Sequence, residues 1–122
     1  AGLSRTLAEI RRIRGQELPQ LRTASRSPVY NYGRMCALGE ENLLTCAEAG
    51  VRSALMRKES RGFHLRSDFP AVDNSRFAAR ILAERDGGEM KLSTRKPEAH
   101  RIPIPSGSEL TVCDYIVNQK LI

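Results

Sequence analysis

The sequence contains no tryptophan, only three tyrosines and three phenylalanines, and no apolar run near the ~20 residues needed to cross a bilayer. The shortage of aromatics leaves Leu, Ile, Val, Ala and Met to fill any core, and it removes the ring cluster that usually stacks bases. No GxGxxG or GxxxxGK[ST] loop is present, so neither usual backbone cradle for phosphates is supplied by the chain itself. The three cysteines include no CxxC pair. Cys36, Cys46, Cys113, His64 and His100 lie in unrelated segments, without the short spacing that gathers metal ligands. Cys36 and Cys46 are separated by about 15 Å of helical rise and cannot share an ion on one intact helix. Both are expected to be buried structural thiols. No secretory signal precedes them, which predicts a reduced, cytoplasmic setting with no direct membrane insertion. The first residue is Ala rather than Met, consistent with processing or truncation.

The 122 residues are 40% hydrophobic, enough for one modest core and within the range of a single domain. The net charge is +6 with a pI of about 9.7, which suits nucleic acid, an anionic surface or an acidic protein neighbour. A basic nucleic-acid-binding module is therefore one reading, resting on Arg11, Arg12 and Arg14. Against it, acids such as Glu9, Glu17 and Glu59 are interleaved with the bases.

Leu3, Leu7, Ile10 and Ile13 recur at helical spacing, predicting an amphipathic helix over residues 3–21 that Pro19 ends or kinks. Residues 22–28 read as a linker. A long helix is expected over 32–60, with Leu38, Leu43, Leu44, Val51, Ala54 and Leu55 on an apolar face. Its small residues, among them Ala37, Gly39, Ala47 and Gly50, allow close helix approach, and Gly62 stands where a left-handed cap belongs. After a loop over 63–74, alternation from Phe77 to Glu84 predicts a strand. The Asp86-Gly87-Gly88 turn and a second strand to Thr94 complete a β-hairpin. Pro97, Pro103 and Pro105 keep the following chain extended. Ser106 and Glu109 fit a capping box for a short helix, while Thr111, Val112, Tyr115, Ile116 and Val117 suit a strand as well. The organisation expected is a helical portion over 1–75 and a hairpin and extended region over 76–122, within one domain.

One run carries concentrated charge: Arg57-Lys58-Glu59-Ser60-Arg61-Gly62-Phe63-His64-Leu65-Arg66-Ser67-Asp68-Phe69-Pro70-Ala71-Val72-Asp73-Asn74. Ser60, His64 and Asp68 name triad residue types, but no nucleophile-elbow sequence surrounds the serine. Arginine forks match carboxylates bidentately. The run therefore reads either as an ion-pair network fixing the helix-to-hairpin crossing or as a docking or substrate-facing surface.

This run resembles the R-x-E-S-R-G-x-H-x-R-x-D-(F/Y)-P-x-x-D signature of the succinate dehydrogenase/fumarate reductase flavoprotein family, which also includes L-aspartate oxidase and adenylylsulfate reductase. The resemblance covers about residues 3–92. It implies a mainly α fold, a spectrin-repeat-like helical bundle followed by a small β-hairpin and extended region. A bundle helix preceding the one near Leu3 is missing from this sequence, leaving apolar surface that favours self-association. The aromatic-plus-histidine step that often follows the signature is replaced by Arg76-Phe77-Ala78-Ala79. The resemblance further implies a C-terminal domain that is not catalytic in isolation and binds no cofactor itself. FAD would belong to upstream FAD-binding and capping domains of the parent, with an iron–sulfur subunit as partner and membrane association only through partners. Arg57, Glu59, Arg61, His64, Arg66, Asp68 and Asp73 are implied to form an interdomain and structural network. No catalytic, cofactor or metal residue is carried over.

Overall fold

The computed structural model describes residues 2–97 and the backbone of 110–111. The chain forms two compact units, Ala1–Leu55 and Met56–Ile122.

In the first unit, helix α1 spans Gly2–Arg12. Its apolar stripe half-buries Leu3 and Leu7 and buries Ile10. The helix then widens to a π-helical turn over Ile13–Glu17 and tightens to a 3-10 turn over Leu18–Gln20. The expected helix over 3–21 thus extends to about the predicted point, with three different windings. Pro19 lies in the final turn, where its missing N–H is tolerated before the chain leaves helical geometry. Arg12 reaches both Glu9 (2.6 Å) and Glu17 (2.8 Å), tying α1 to the wider turn.

Helix α2 spans Tyr32–Met56. Asn31 sets its start: the side-chain Oδ1 accepts from the Arg34 amide at 2.9 Å, and the amide nitrogen donates to the Ser25 and Ser27 carbonyls. The cap therefore also folds the preceding loop. Arg14 pairs with Glu48 and Glu41, and Arg52 pairs with Glu48 at 3.4 Å. Glu48 is 7% exposed, and the hydrogen bond from Arg14 holds its carboxyl below the ordinary value against the cost of burial.

Three expectations for α2 are corrected. The helix ends at Met56 rather than Ser60, because the Arg57 carbonyl accepts from Arg66 Nη1 at 3.0 Å instead of from a further helical turn. Gly62 consequently is not the cap of α2 and serves a turn farther on. Cys36 and Cys46 are exposed, not buried: the side of α2 that carries Met35 and Leu38 (both 68% exposed) is open. Leu43 is exposed as well, whereas Leu44, Val51, Ala54 and Leu55 are half-buried.

In the second unit, β1 (Ala71–Val72) pairs antiparallel with β4 (Leu110–Thr111). Helix α3 (Asn74–Phe77) follows β1, and then β2 (Arg80–Asp86) and β3 (Glu89–Arg95) form an antiparallel hairpin. The hairpin matches expectation, with Asp86 opposite Glu89 and positive φ at both Gly87 (58°) and Gly88 (93°). The first strand starts later than Phe77. Asp73 caps α3 by accepting from the Arg76 amide at 3.0 Å, which coils Phe77 before the strand begins. The capping-box helix predicted after Ser106, and the strand alternative beyond Thr111, lie outside the described residues. No helix among the described residues is long and apolar enough to cross a membrane.

Candidate functional site

The second unit is built around a carboxylate. Glu59 and Val72 are its large, fully buried side chains among the described residues, with Glu59 0% exposed. Ionised groups reach such a position only when paired and hydrogen-bonded, because burial otherwise neutralises them. Glu59 meets that condition on both oxygens. Oε1 accepts from Arg57 Nη1 at 2.5 Å and Arg61 Nε at 2.8 Å. Oε2 accepts from Arg61 Nη2 at 2.9 Å and from the Asp73 backbone amide at 2.8 Å. Burial pushes the Glu59 carboxyl up, but donors from Arg61, the Asp73 amide and Arg57 outweigh it and hold the group below its ordinary value.

Each arginine also reaches beyond Glu59. Arg57 donates to the Phe77 and Ala79 carbonyls, both at 2.8 Å, and its guanidinium lies 5.7 Å from the Phe77 ring centroid. It therefore fastens the segment between α3 and β2. Arg61 Nη2 donates to Asn74 Oδ1 at 2.6 Å, holding the start of α3. One buried acid organises two arginines, and these carry its influence into backbone that no ladder supports.

The rest of the signature forms the loop. Reciprocal backbone bonds between Arg61 and His64, at 2.9 and 3.0 Å, close a tight turn in which Gly62 takes φ +56°. Phe63 is fully exposed at its tip, and Leu65 is 71% exposed. Arg66 grips Asp68 with two bonds (2.9 and 2.5 Å), and its guanidinium lies 4.6 Å from the Phe69 ring centroid. This pairing lowers the Asp68 carboxyl and raises Arg66. His64 Nε2 lies 3.4 Å from the Arg57 carbonyl. Asp73 is set by its α3 cap and by a 2.6 Å bond from Ser75, which holds its carboxyl low.

Of the seven residues singled out from sequence, Arg57, Glu59, Arg61 and the Asp73 backbone meet at one point. Arg66 and His64 meet the Arg57 carbonyl beside it, and Asp68 lies farther out on Arg66. Sequence reasoning does not find Ser60 and Asn74 as members. Ser60 is 2% exposed; its hydroxyl donates to the Phe69 carbonyl and accepts from the Arg66 amide, both at 2.8 Å. Its partners are therefore loop backbone rather than His64 or Asp68, and the triad residue types form no relay. Glu48 in the first unit also escapes sequence reasoning, since its partner Arg14 lies 34 positions away.

The Glu59 carboxylate is fully engaged by its own neighbours. Four donors occupy the two Glu59 oxygens, leaving no free lone pair to accept a substrate proton. Among the described residues no group of three or more His, Cys, Asp and Glu could hold a metal ion. What the geometry does well is to fix a loop and display its tip.

Comparison with known proteins gives this geometry a lineage. The chain is 35% identical over 83 residues to the fumarate reductase flavoprotein subunit of Mycobacterium tuberculosis, a match covering 62% of this chain and 14% of that protein. A chloroplastic L-aspartate oxidase of Arabidopsis thaliana is 40% identical over 55 residues, covering 45% of this chain and 8% of its own length. A polypeptide of the CoM/CoB fumarate reductase of Methanothermobacter marburgensis is 51% identical over 41 residues, covering 34% and 8% respectively. The chain thus spans a small part of the length of the curated relatives it matches. No solved structure matches. The family profile described as fumarate reductase flavoprotein C-term matches residues 1–109, and the chain belongs to that family.

Proposed function

We propose that this chain is a non-catalytic structural and docking domain at the C-terminal end of an FAD-dependent flavoprotein subunit of the succinate dehydrogenase/fumarate reductase type. The observation that supports this most is the saturation of Glu59: an acid with every lone pair engaged by its own loop shapes a surface and performs no proton transfer. The flavin belongs to upstream domains of the parent, where it supplies hydride chemistry at a dicarboxylate. Here α1 and α2 are two helices of a spectrin-repeat-like bundle whose remaining helix comes from upstream sequence, and the exposed side of α2 receives it. An iron–sulfur subunit is the parent's electron partner, and the setting is cytoplasmic, peripheral to a membrane only through partners.

A second reading, the corresponding domain of an L-aspartate oxidase, is favoured by the Arabidopsis match. The substrate residues that separate the two lie upstream. The domain reading is tested by titrating the purified chain with FAD while following flavin absorbance and fluorescence. No stoichiometric binding is expected. Binding of one FAD per chain would overturn the assignment of the cofactor to upstream domains.

A further inference from the structure

The β2–β3 ribbon carries its charges in an order that the Glu59 network does not use. On one face of the ribbon the side chains stand in directly opposed pairs. Arg80 is opposite Arg95 at the open end, Asp86 is opposite Glu89 beside the turn, and Glu84 is opposite Lys91 between them. Like charges directly opposite one another are unfavourable in an antiparallel pair. The exposed Lys91 ammonium, 3.3 Å from Asp86, offsets one of the acids. This face of the ribbon is still basic at its open end and acidic at its tip.

The outer edge of β2 is open as well. Among the described residues β2 pairs with β3 alone. Every residue from Ala83 to Asp86 is exposed, whereas Met90, Leu92 and Ser93 of β3 are half-buried. The two-residue turn makes Asp86 and Glu89 a hydrogen-bonded pair, so bonding within the hairpin falls on Asp86, Glu84, Leu82 and Arg80. The amides and carbonyls of Ile81, Ala83 and Arg85 therefore face outward. A two-stranded ribbon is marginal by itself in water, and an open edge of this kind is a template for a further strand.

We propose that the chain forms a two-fold dimer in which β2 pairs antiparallel with β2 of a second copy, centred on Ala83. In this register Ala83 meets its own counterpart, and Ile81 meets Arg85 of the second copy. The outward backbone groups of all three residues then bond across the junction. Arg80 falls opposite Asp86 of the second copy, twice by symmetry, at positions where side chains approach most closely. Each like-charged end is thereby met by the opposite charge. Parallel pairing in register would set Arg80 against Arg80 and Asp86 against Asp86, so the charge order selects the antiparallel arrangement. The junction is distinct from the apolar side of α2 that carries Met35 and Leu38.

The test is sedimentation equilibrium of the 122-residue chain and its variants. Concentration-dependent dimers are expected. Arg80→Glu and Asp86→Arg should each weaken them roughly tenfold, because two attractive pairs become repulsive. Within one hairpin the same changes set opposite charges across the ribbon, so they should not loosen it. An equimolar mixture of the two variants should associate again, since Glu at position 80 of one copy then meets Arg at position 86 of the other, and the original Arg80 and Asp86 meet at the far end. Ala83→Pro removes an outward N–H, which an edge strand tolerates, and should also weaken association about tenfold or more. Circular dichroism checks that the variants keep their fold; if Ala83→Pro does not, the mixture of charge variants decides. A chain that stays monomeric at every concentration overturns the dimer. Association unchanged in the charge variants, or lost in both and not regained on mixing, overturns this junction; the first result points instead to the apolar side of α2.

Discussion

Glu59 is the residue on which the second unit depends. Removing one partner from a buried charge cluster is far more costly than the net worth of the cluster, because the remaining charges are left without compensation. Glu59→Gln keeps the volume but turns a donor toward the arginines. It should lower unfolding free energy by about 3–5 kcal/mol in urea denaturation. Arg61→Ala should cost less, roughly 1–3 kcal/mol, since Arg57 and the Asp73 amide still hold the carboxylate. The network also sets an acid limit. The Glu59 carboxyl is depressed in the folded state, so its contribution is complete above the ordinary carboxylate value of about 4.3 and is lost as pH falls through the lower folded value. Stability should therefore drop on acidification below about pH 4, and this drop should be shallower in Glu59→Gln; equal slopes would remove Glu59 as the cause. The importance of these residue types is visible in the sequence as an alternation of acids and bases. Which acid is central is not, because Glu59, Asp68 and Asp73 look equivalent until burial separates them.

At the scale of elements, legibility follows locality. Apolar spacing in α1, the start of α2 at Tyr32 and the Gly87-Gly88 turn are signals contained within a few residues, and the structure agrees with each. Two boundaries depend on partners that local patterning does not reveal. The end of α2 at Met56 is set by Arg66 reaching back to the Arg57 carbonyl, nine positions away, and no local breaker marks it. The short α3 is hidden because alternation from Phe77 onward also fits a strand, and the competing Asp73 cap decides the outcome. Gly62 stands out in the sequence as a helix cap, yet in the structure it closes the Arg61–His64 turn. Its φ of +56° carries a testable penalty. Gly62→Val should cost about 1–2 kcal/mol through the left-handed backbone alone, measured by thermal unfolding, since open space surrounds its missing Cβ. A neutral effect would mean that the turn is not held in the left-handed region.

At the scale of the whole molecule, the +6 net charge survives ion pairing, but many of the arginine forks that could grip phosphate are already engaged. Arg12, Arg14, Arg52, Arg57, Arg61 and Arg66 are committed to acids within the chain. Affinity for duplex DNA is therefore expected to be weak, in the non-specific range of roughly 10⁻⁴–10⁻⁶ M at physiological salt, and to fall as salt is added. Sequence-selective binding that survived high salt would revive the nucleic-acid reading. The exposure of Met35, Leu38 and Leu43 on α2 is beyond sequence reasoning of any kind, because periodicity reports that a face is apolar without saying whether its neighbour is present. The Glu59 network has a final consequence for how such a chain can vary. Glu59 and the Asp73 amide are fourteen positions apart and directly bonded, so the loop between them is a closed span of set length. Exposed positions such as Leu65 and Ser67 make no side-chain bond that holds the span, whereas adding or deleting one residue would shift Glu59 against the Asp73 amide. Drift at this loop is therefore confined to substitution, and the span itself behaves as a ruler.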